Sequence, residues 1–200
     1  MEEKIFFQSG KLQLEGLLGK GTGNCGVVIS HPHTLFGGDM YNLVVESMLK
    51  VYMSIGFTTL RFNFRGAGNS QGRFDEGKGE QADILSAIDC IKKHGIAQVD
   101  LAGYSFGAWV NALACPRHKD IKRQVMVAPP VAFIDFKNVA ALSGLSLIVS
   151  GSRDEYAPPE LIRKMIPVWN PSTHFEVIEG ADHFFFGHSG ELESVLRRYL

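Results

Sequence analysis

The 200-residue sequence has little net charge and no long apolar run. Lys and Arg number 20 against 21 Asp and Glu, a formal net charge of -1, so there is no overall positive field to attract nucleic acid. No apolar stretch reaches the roughly 20 residues that a bilayer span needs, which argues against membrane partners. The densest basic cluster runs from Arg117 to Arg123, but Asp120 interrupts it, which is typical of a solvated turn.

Cysteine is scarce as well. Cys25, Cys90 and Cys115 are odd in number and widely separated, and no two of them form a C-x-x-C motif of a zinc knuckle or redox centre. Scattered thiols of this kind favour a reducing compartment. The sequence begins Met1-Glu2-Glu3, without the basic region and apolar core of a signal peptide, so we expect a cytoplasmic protein.

The remaining composition is that of a soluble globular protein, with 45% hydrophobic and 20% charged residues, and its length predicts one domain over residues 1–200. Two alternating segments at the start predict an antiparallel pair of strands. Strands then alternate with helical patterns, which predicts an α/β fold with a mostly parallel sheet and helices on both faces. The predicted strands are 4–8, 11–19, 26–30, 58–64, 99–104, 124–128, 145–150 and 174–178. The predicted helices run from Asp39 to Ile55, around 84–91, over 106–115, from Pro159 onward, and around 192–199.

Residues 21–26 match G-x-G-x-x-G, the fingerprint of dinucleotide-binding proteins. That motif works when a strand precedes it and a helix follows it, because the helix N-terminus meets the pyrophosphate. Here the next residues, 27–30, have the pattern of a strand. We therefore interpret 21–26 as a glycine-rich turn between strands and expect no nucleotide cofactor.

Residues 103–107 read Gly-Tyr-Ser-Phe-Gly, a G-x-S-x-G motif between a predicted strand and a predicted helix. A tight turn between these two elements raises the serine hydroxyl above the sheet, and the flanking glycines let strand and helix pass closely. The turn also directs the N–H of Phe106 toward the position of a developing oxyanion. We therefore predict that Ser105 is a nucleophile.

A serine hydroxyl needs a base, and His183 follows the last predicted strand, at the end of a parallel sheet where ligands gather. His188 competes but is better interpreted as an exposed residue at a helix start. The base in turn needs a carboxylate, and Asp154 follows the strand 145–150. Asp135 is the alternative, because it follows the preceding strand.

The segment His31-Pro32-His33-Thr34-Leu35 joins the first parallel strand to its helix, where a second oxyanion donor should lie. Leu35 and His33 are the candidates for this backbone N–H, with a slight preference for Leu35, since Pro32 has no N–H. A rival interpretation makes His31, His33, His183 and Asp182 metal ligands. Pro32 stiffens this loop without adding a ligand, so we favour loop shaping and expect no metal.

Five landmarks appear in order: His31-Pro32-His33 with Gly37-Gly38, the segment 61–66, the G-x-S-x-G motif, Gly151 with Asp154 and Pro158, and the segment 180–185. Together they resemble the α/β-hydrolase superfamily, and within it the small lidless hydrolases similar to dienelactone hydrolases. The resemblance implies an eight-stranded sheet and a catalytic triad of Ser105, Asp154 and His183. Dienelactone hydrolases have cysteine where this chain has Ser105, which argues against a lactone substrate.

Many relatives insert a helical cap after the strand that ends here at Ala128, but only residues 129–144 intervene, enough for a short turn of helix around Val131, Phe133 and Phe136. We therefore expect an open site with little apolar enclosure and activity on small acyl esters. The leading function is a serine esterase or thioesterase acting on a small-molecule acyl substrate. Peptidase and acyltransferase variants use the same residues, and a catalytically inactive binding module is the alternative. The run Phe184-Phe185-Phe186 predicts core or pocket wall.

Overall fold

The structure, a computed structural model, describes residues 2–115, 119–139 and 141–200. An eight-stranded sheet forms its centre, in the order β1-β2-β4-β3-β5-β6-β7-β8. The strands are β1 (Glu2–Ser9), β2 (Leu12–Gly19), β3 (Cys25–Ser30), β4 (Thr58–Phe62), β5 (Gln98–Tyr104), β6 (Ile121–Val127), β7 (Leu145–Gly151) and β8 (His174–Ile178). Strand β2 is antiparallel to both β1 and β4, and the other neighbours pair in parallel. The predicted α/β-hydrolase sheet is confirmed.

In the part of the chain that the structure describes, five α-helices cover the sheet: α1 (Leu43–Ser54), α2 (Lys78–Lys92), α3 (Phe106–Ala114), α4 (Pro159–Trp169) and α5 (Ser189–Tyr199). Successive residues of β3 point to opposite faces of the sheet, and both faces carry apolar side chains that helices must cover. Val27 and Ile29 pack into one apolar cluster with α1, α4 and α5, whereas Val28 packs into a second cluster with α2. A strand buried on both faces therefore appears as a continuous β-branched run in the sequence.

Several predicted boundaries were wrong. Strand β1 begins at Glu2 and β6 at Ile121, earlier than predicted, and in α1 and β4 a side chain binds the backbone at the predicted end. Helix α1 begins at Leu43 and not at Asp39, since the carboxylate of Asp39 accepts the Tyr41 N–H and the Asn42 side chain caps the helix by accepting the Val44 N–H. Strand β4 ends at Phe62, two residues early. Beyond it the Asn63 N–H still donates to the Glu15 carbonyl of β2, but the Phe64 N–H donates to the ring of His31, so the chain leaves the ladder there.

The interval between β6 and β7 holds no helix around Val131, Phe133 and Phe136. It forms a hydrogen-bonded turn in which the Pro130 carbonyl accepts from the N–H groups of Phe133 and Ile134. The prolines at 129 and 130 lack the N–H groups that a helix would need to extend backward. Consistent with the sequence, residues 129–139 and 141–144 contain no cap helix.

Residues 22–24 form bends between β2 and β3, and Cys25 and Gly26 already belong to β3, so a strand and not a helix follows the turn in the G-x-G-x-x-G segment, as predicted. In the predicted basic cluster, Arg117 and His118 lie outside the described residues, and Arg123 forms an ion pair with Asp100 from within β6. The three cysteines are half-buried and free. Among the described residues, no helix is both long and apolar enough to cross a membrane.

Candidate active site

Ser105 lies at a sharp turn between β5 and α3. Its backbone has φ 53° and ψ −119°, an unfavourable conformation for a residue with a side chain, and its N–H donates to the Val127 carbonyl over 2.9 Å. The two flanking residues must be glycine, because a Cβ at either position would be too close to backbone atoms. A Cβ on Gly103 would lie 2.6 Å from the backbone nitrogen of Ala108, and one on Gly107 would lie 2.7 Å from two carbonyl oxygens of β3 and the following residue. The motif is therefore explained by steric limits on both sides of the serine.

His183 lies in the loop after β8 and reaches the serine directly. Its Nε2 is 2.9 Å from Ser105 Oγ, and both side chains are more than nine-tenths buried. The loop is held by Tyr104, whose hydroxyl donates to the His183 carbonyl oxygen over 2.9 Å. Burial next to the carboxylate of Asp154 raises the pKa of Tyr104, so this hydroxyl stays a donor at neutral pH. Tyr104 was missed as a site residue, because in G-x-S-x-G it occupies a position where the motif accepts any side chain.

The carboxylate that contacts His183 is Asp154. Its two oxygens lie 3.0 and 2.9 Å from His183 Nδ1, and one of them also accepts the N–H groups of Tyr156 and Ala157 over 2.9 and 2.8 Å. The local turn thus fixes the orientation of the carboxylate before it meets the ring. A Cβ on Gly151 would lie 2.2 Å from the carbonyl oxygen of Ala181, so glycine lets the two loops approach.

The alternative acids and bases lie elsewhere. Asp135 is exposed and accepts the Lys137 N–H, and Asp182 is exposed and accepts the Phe184 N–H. His188 is half-buried at the start of α5, 3.6 Å from a carboxylate oxygen of Glu191. Two further histidines, His94 and His174, are exposed, and His118 falls outside the described residues.

His31 is completely buried below the site and uses both ring nitrogens. Nδ1 lies 2.6 Å from the Pro32 carbonyl oxygen, and Nε2 accepts the Phe64 N–H over 3.0 Å. A carbonyl can only accept and an amide can only donate, so the ring is neutral with its proton on Nδ1. Burial lowers the pKa of His31 to about 4. Because neither nitrogen is available to a metal ion, His31 does not fit the rival metal interpretation, and the described residues contain no group of three or more potential ligands.

The loop after β3 contains a short 3₁₀ helix, Thr34–Phe36, capped by His33. His33 Nδ1 accepts the Leu35 N–H over 3.3 Å, so this amide is already engaged, and the Leu35 side chain is 67% exposed. The His33 N–H, by contrast, makes no hydrogen bond to any part of the chain that the structure describes. The geometry therefore favours His33, the alternative, over Leu35 as the second backbone donor beside Phe106.

A cavity of about 240 Å³ opens over Ser105. Its floor is formed by Tyr104, Ser105 and Phe106, and its walls come from the loops that follow β3, β6, β7 and β8. These loops contribute His33, Phe36, Phe133, Ile134, Tyr156 and Phe184. The expectation of little apolar enclosure is therefore wrong, because the short loops carry aromatic side chains. Of the three consecutive phenylalanines, Phe184 is pocket wall, Phe185 is core and Phe186 is exposed.

No family model matches the chain, but individual proteins resemble it. It is 34% identical to an uncharacterized protein of Rickettsia prowazekii (strain Madrid E), over 98% of this chain and 88% of that protein. An α/β serine hydrolase homologue from Coxiella burnetii superposes with a TM-score of 0.92 and 36% identity, covering 99% of this chain and 97% of that one. A serine hydrolase without a lid from Xanthomonas campestris gives a TM-score of 0.90 and 25% identity, covering 98% and 92%.

Proposed function

The chain belongs to the α/β serine hydrolases, among their lidless forms, and from this premise we propose that it hydrolyses carboxylic esters or thioesters through an acyl-enzyme on Ser105. The observation that carries the proposal is the continuous contact from Ser105 Oγ to His183 Nε2 and from His183 Nδ1 to the Asp154 carboxylate, at 2.9 to 3.0 Å. A serine is a useful nucleophile only when a base can take its proton, and this arrangement provides that base.

In the first step Ser105 Oγ attacks the carbonyl carbon while its proton moves to His183 Nε2. The carbonyl oxygen becomes an oxyanion, and in this proposal the N–H groups of Phe106 and His33 donate to it. Asp154 stabilises the imidazolium and keeps the ring in one orientation. The intermediate then collapses, the carbon–oxygen or carbon–sulfur bond to the leaving group breaks, and His183 donates its proton to that alcohol or thiol.

In the second step water attacks the acyl-enzyme while His183 accepts a proton from it. Collapse of the second intermediate releases the carboxylic acid, and Ser105 regains its hydrogen from His183. The reaction needs no cofactor in this scheme, because His183 accepts and returns the proton in each step. An acyltransferase or peptidase would use the same residues with a different acceptor or a different scissile bond.

Covalent labelling tests the proposal. We expect a fluorophosphonate probe to label the purified protein, and p-nitrophenyl acetate and butyrate to be hydrolysed. Ser105→Ala should lose both signals, and Ser194→Ala, which removes an exposed serine of α5, should keep both. Turnover should also persist in EDTA. A folded wild-type protein that is neither labelled nor active would contradict the proposal and favour a binding module of the same fold.

A further inference from the structure

Two exposed aromatic rings face each other at the mouth of the cavity over Ser105. Phe36, from the 3₁₀ helix after β3, and Phe133, from the turn after β6, have ring centroids 6.0 Å apart in an edge-to-face arrangement. They are 73% and 55% exposed although both line the cavity. We call this pair the aromatic clasp. Large aromatic side chains are costly to leave in water, so their position beside a nucleophile suggests contact with a ligand.

Hydrogen bonds and ring contacts place both rings before any ligand arrives. The ring centroids of Phe36 and His33 lie 4.7 Å apart, and the backbone N–H of Phe36 donates to the His33 carbonyl. On the opposite side, the Phe133 N–H donates to the Pro130 carbonyl over 3.0 Å, and the Phe133 ring packs edge-to-face on Tyr156 at 5.7 Å. Binding between walls that are already in place costs less free energy, because fewer side chains and loops must be ordered.

The rings continue from the clasp to the catalytic histidine. Tyr156 lies 4.8 Å from the His183 ring, and Phe184 lies 5.6 Å from it on another side. Among the described residues lining the cavity there is no aspartate, glutamate, lysine or arginine. Burial also lowers the pKa of His33, which keeps that wall uncharged at neutral pH. A charged group on the substrate would therefore find no partner here, whereas an apolar group would find rings on several sides.

The size of the cavity fits such a group. With a volume of about 240 Å³ and walls on several sides, it has room for a single six-membered ring, as in a benzoyl or benzyl group. Flat rings also gain more than flexible chains from edge-to-face and offset contacts with other rings.

We propose that the substrate is an ester or thioester carrying an aromatic group next to the scissile bond, and that Phe36 and Phe133 determine this preference. The inference rests on the proposed hydrolysis through Ser105 and deepens it by naming the substrate class. It narrows the expectation of activity on small acyl esters, because the aromatic clasp gives one shape of substituent more contact than another.

Two sets of esters test the proposal, and neither uses an aromatic reporter group. In the acyl set, methyl acetate, methyl octanoate and methyl benzoate are compared; in the alcohol set, ethyl, octyl and benzyl acetate. Each kcat/KM is divided by the rate constant for hydroxide-catalysed hydrolysis. The octyl and aryl members have similar numbers of heavy atoms, so they differ mainly in shape. In one of the two sets we expect this ratio to be roughly tenfold higher for the aryl ester than for the octyl ester, because several ring contacts act together.

The variants Phe36→Ala and Phe133→Ala should each reduce this aryl preference roughly three- to tenfold, because each removes one ring contact. Phe6→Ala, which removes a 47% exposed phenylalanine of β1, is the matched control and should keep the wild-type preference. Equal rates for aryl and octyl esters, or an aryl preference that both clasp variants retain, would overturn the inference while the proposed hydrolysis stands. Absence of both ester hydrolysis and fluorophosphonate labelling would overturn the proposed function and the inference together.

Discussion

Lowering the pH should destabilise this protein specifically through His31. In the folded state the Nε2 of His31 must accept the Phe64 N–H, and protonation would place a second donor against that amide. Burial lowers the pKa of His31 from 6.5 to about 4. Between these two values the unfolded chain binds a proton that the folded protein does not bind, so the free energy of unfolding decreases as the pH falls.

The size of the effect follows from the difference in pKa. A difference of about 2.5 units corresponds to about 3 kcal/mol over the whole window, at 1.36 kcal/mol per unit. Between pH 7 and pH 4.5 roughly 2 kcal/mol of this should be lost. The contribution of His31 is fully present above pH 6.5 and disappears as the pH approaches 4. Carboxyl groups also titrate in this pH range, so a variant without His31 is needed to separate the contribution of this histidine from theirs.

Urea unfolding of the wild type and of His31→Gln should be measured at several values between pH 7.5 and 4.5. We expect the wild type to be the more stable at pH 7, and the gap between the two to narrow by roughly 2 kcal/mol at pH 4.5. His94→Gln removes an exposed histidine and should run parallel to the wild type. NMR titration of the His31 ring protons provides an independent measurement. A constant gap, or a ring that titrates near pH 6.5 in the folded protein, would refute the reasoning.

Three further substitutions test the site, and circular dichroism should accompany each. Asp154→Asn should lower kcat by on the order of 10³- to 10⁴-fold in ester hydrolysis, because His183 loses the charge that stabilises its cation; a loss below tenfold would argue against this role. Tyr104→Phe removes the hydroxyl bond to the His183 carbonyl and should cost about 1 kcal/mol in urea unfolding and lower kcat; unchanged kcat and stability would show that this bond does not hold the loop. Gly107→Ala should destabilise by about 1 to 3 kcal/mol, because its Cβ would lie 2.7 Å from carbonyl oxygens, whereas Gly190→Ala, with open space around it, should not destabilise; equal thermal melting of these two variants would contradict the steric argument.

Much of the fold could be predicted from the sequence because the relevant signals are local. The β-branched run 27–29 marks a strand buried on both faces, and the helical spacing of Ile84, Ile88 and Ile91 marks the buried face of α2. The errors at α1 and β4 lie where a side chain forms a hydrogen bond with the backbone. The end of β4 depends on the ring of His31, more than 30 residues away, and no property of residues 63 and 64 announces that bond.

The sequence by itself determined the order of the elements and the position of the nucleophilic serine, since the G-x-S-x-G motif and the strand and helix patterns on either side of it are local signals. Only the tertiary structure decided that Asp154 and not Asp135 meets His183, and that the Leu35 N–H is engaged while the His33 N–H is not. It also brought Phe36 and Phe133 together although almost 100 residues separate them. Such contacts depend on how loops from separate strands pack at one edge of the sheet. The distances between these loops are set by the sheet as a whole rather than by residues that are neighbours in sequence.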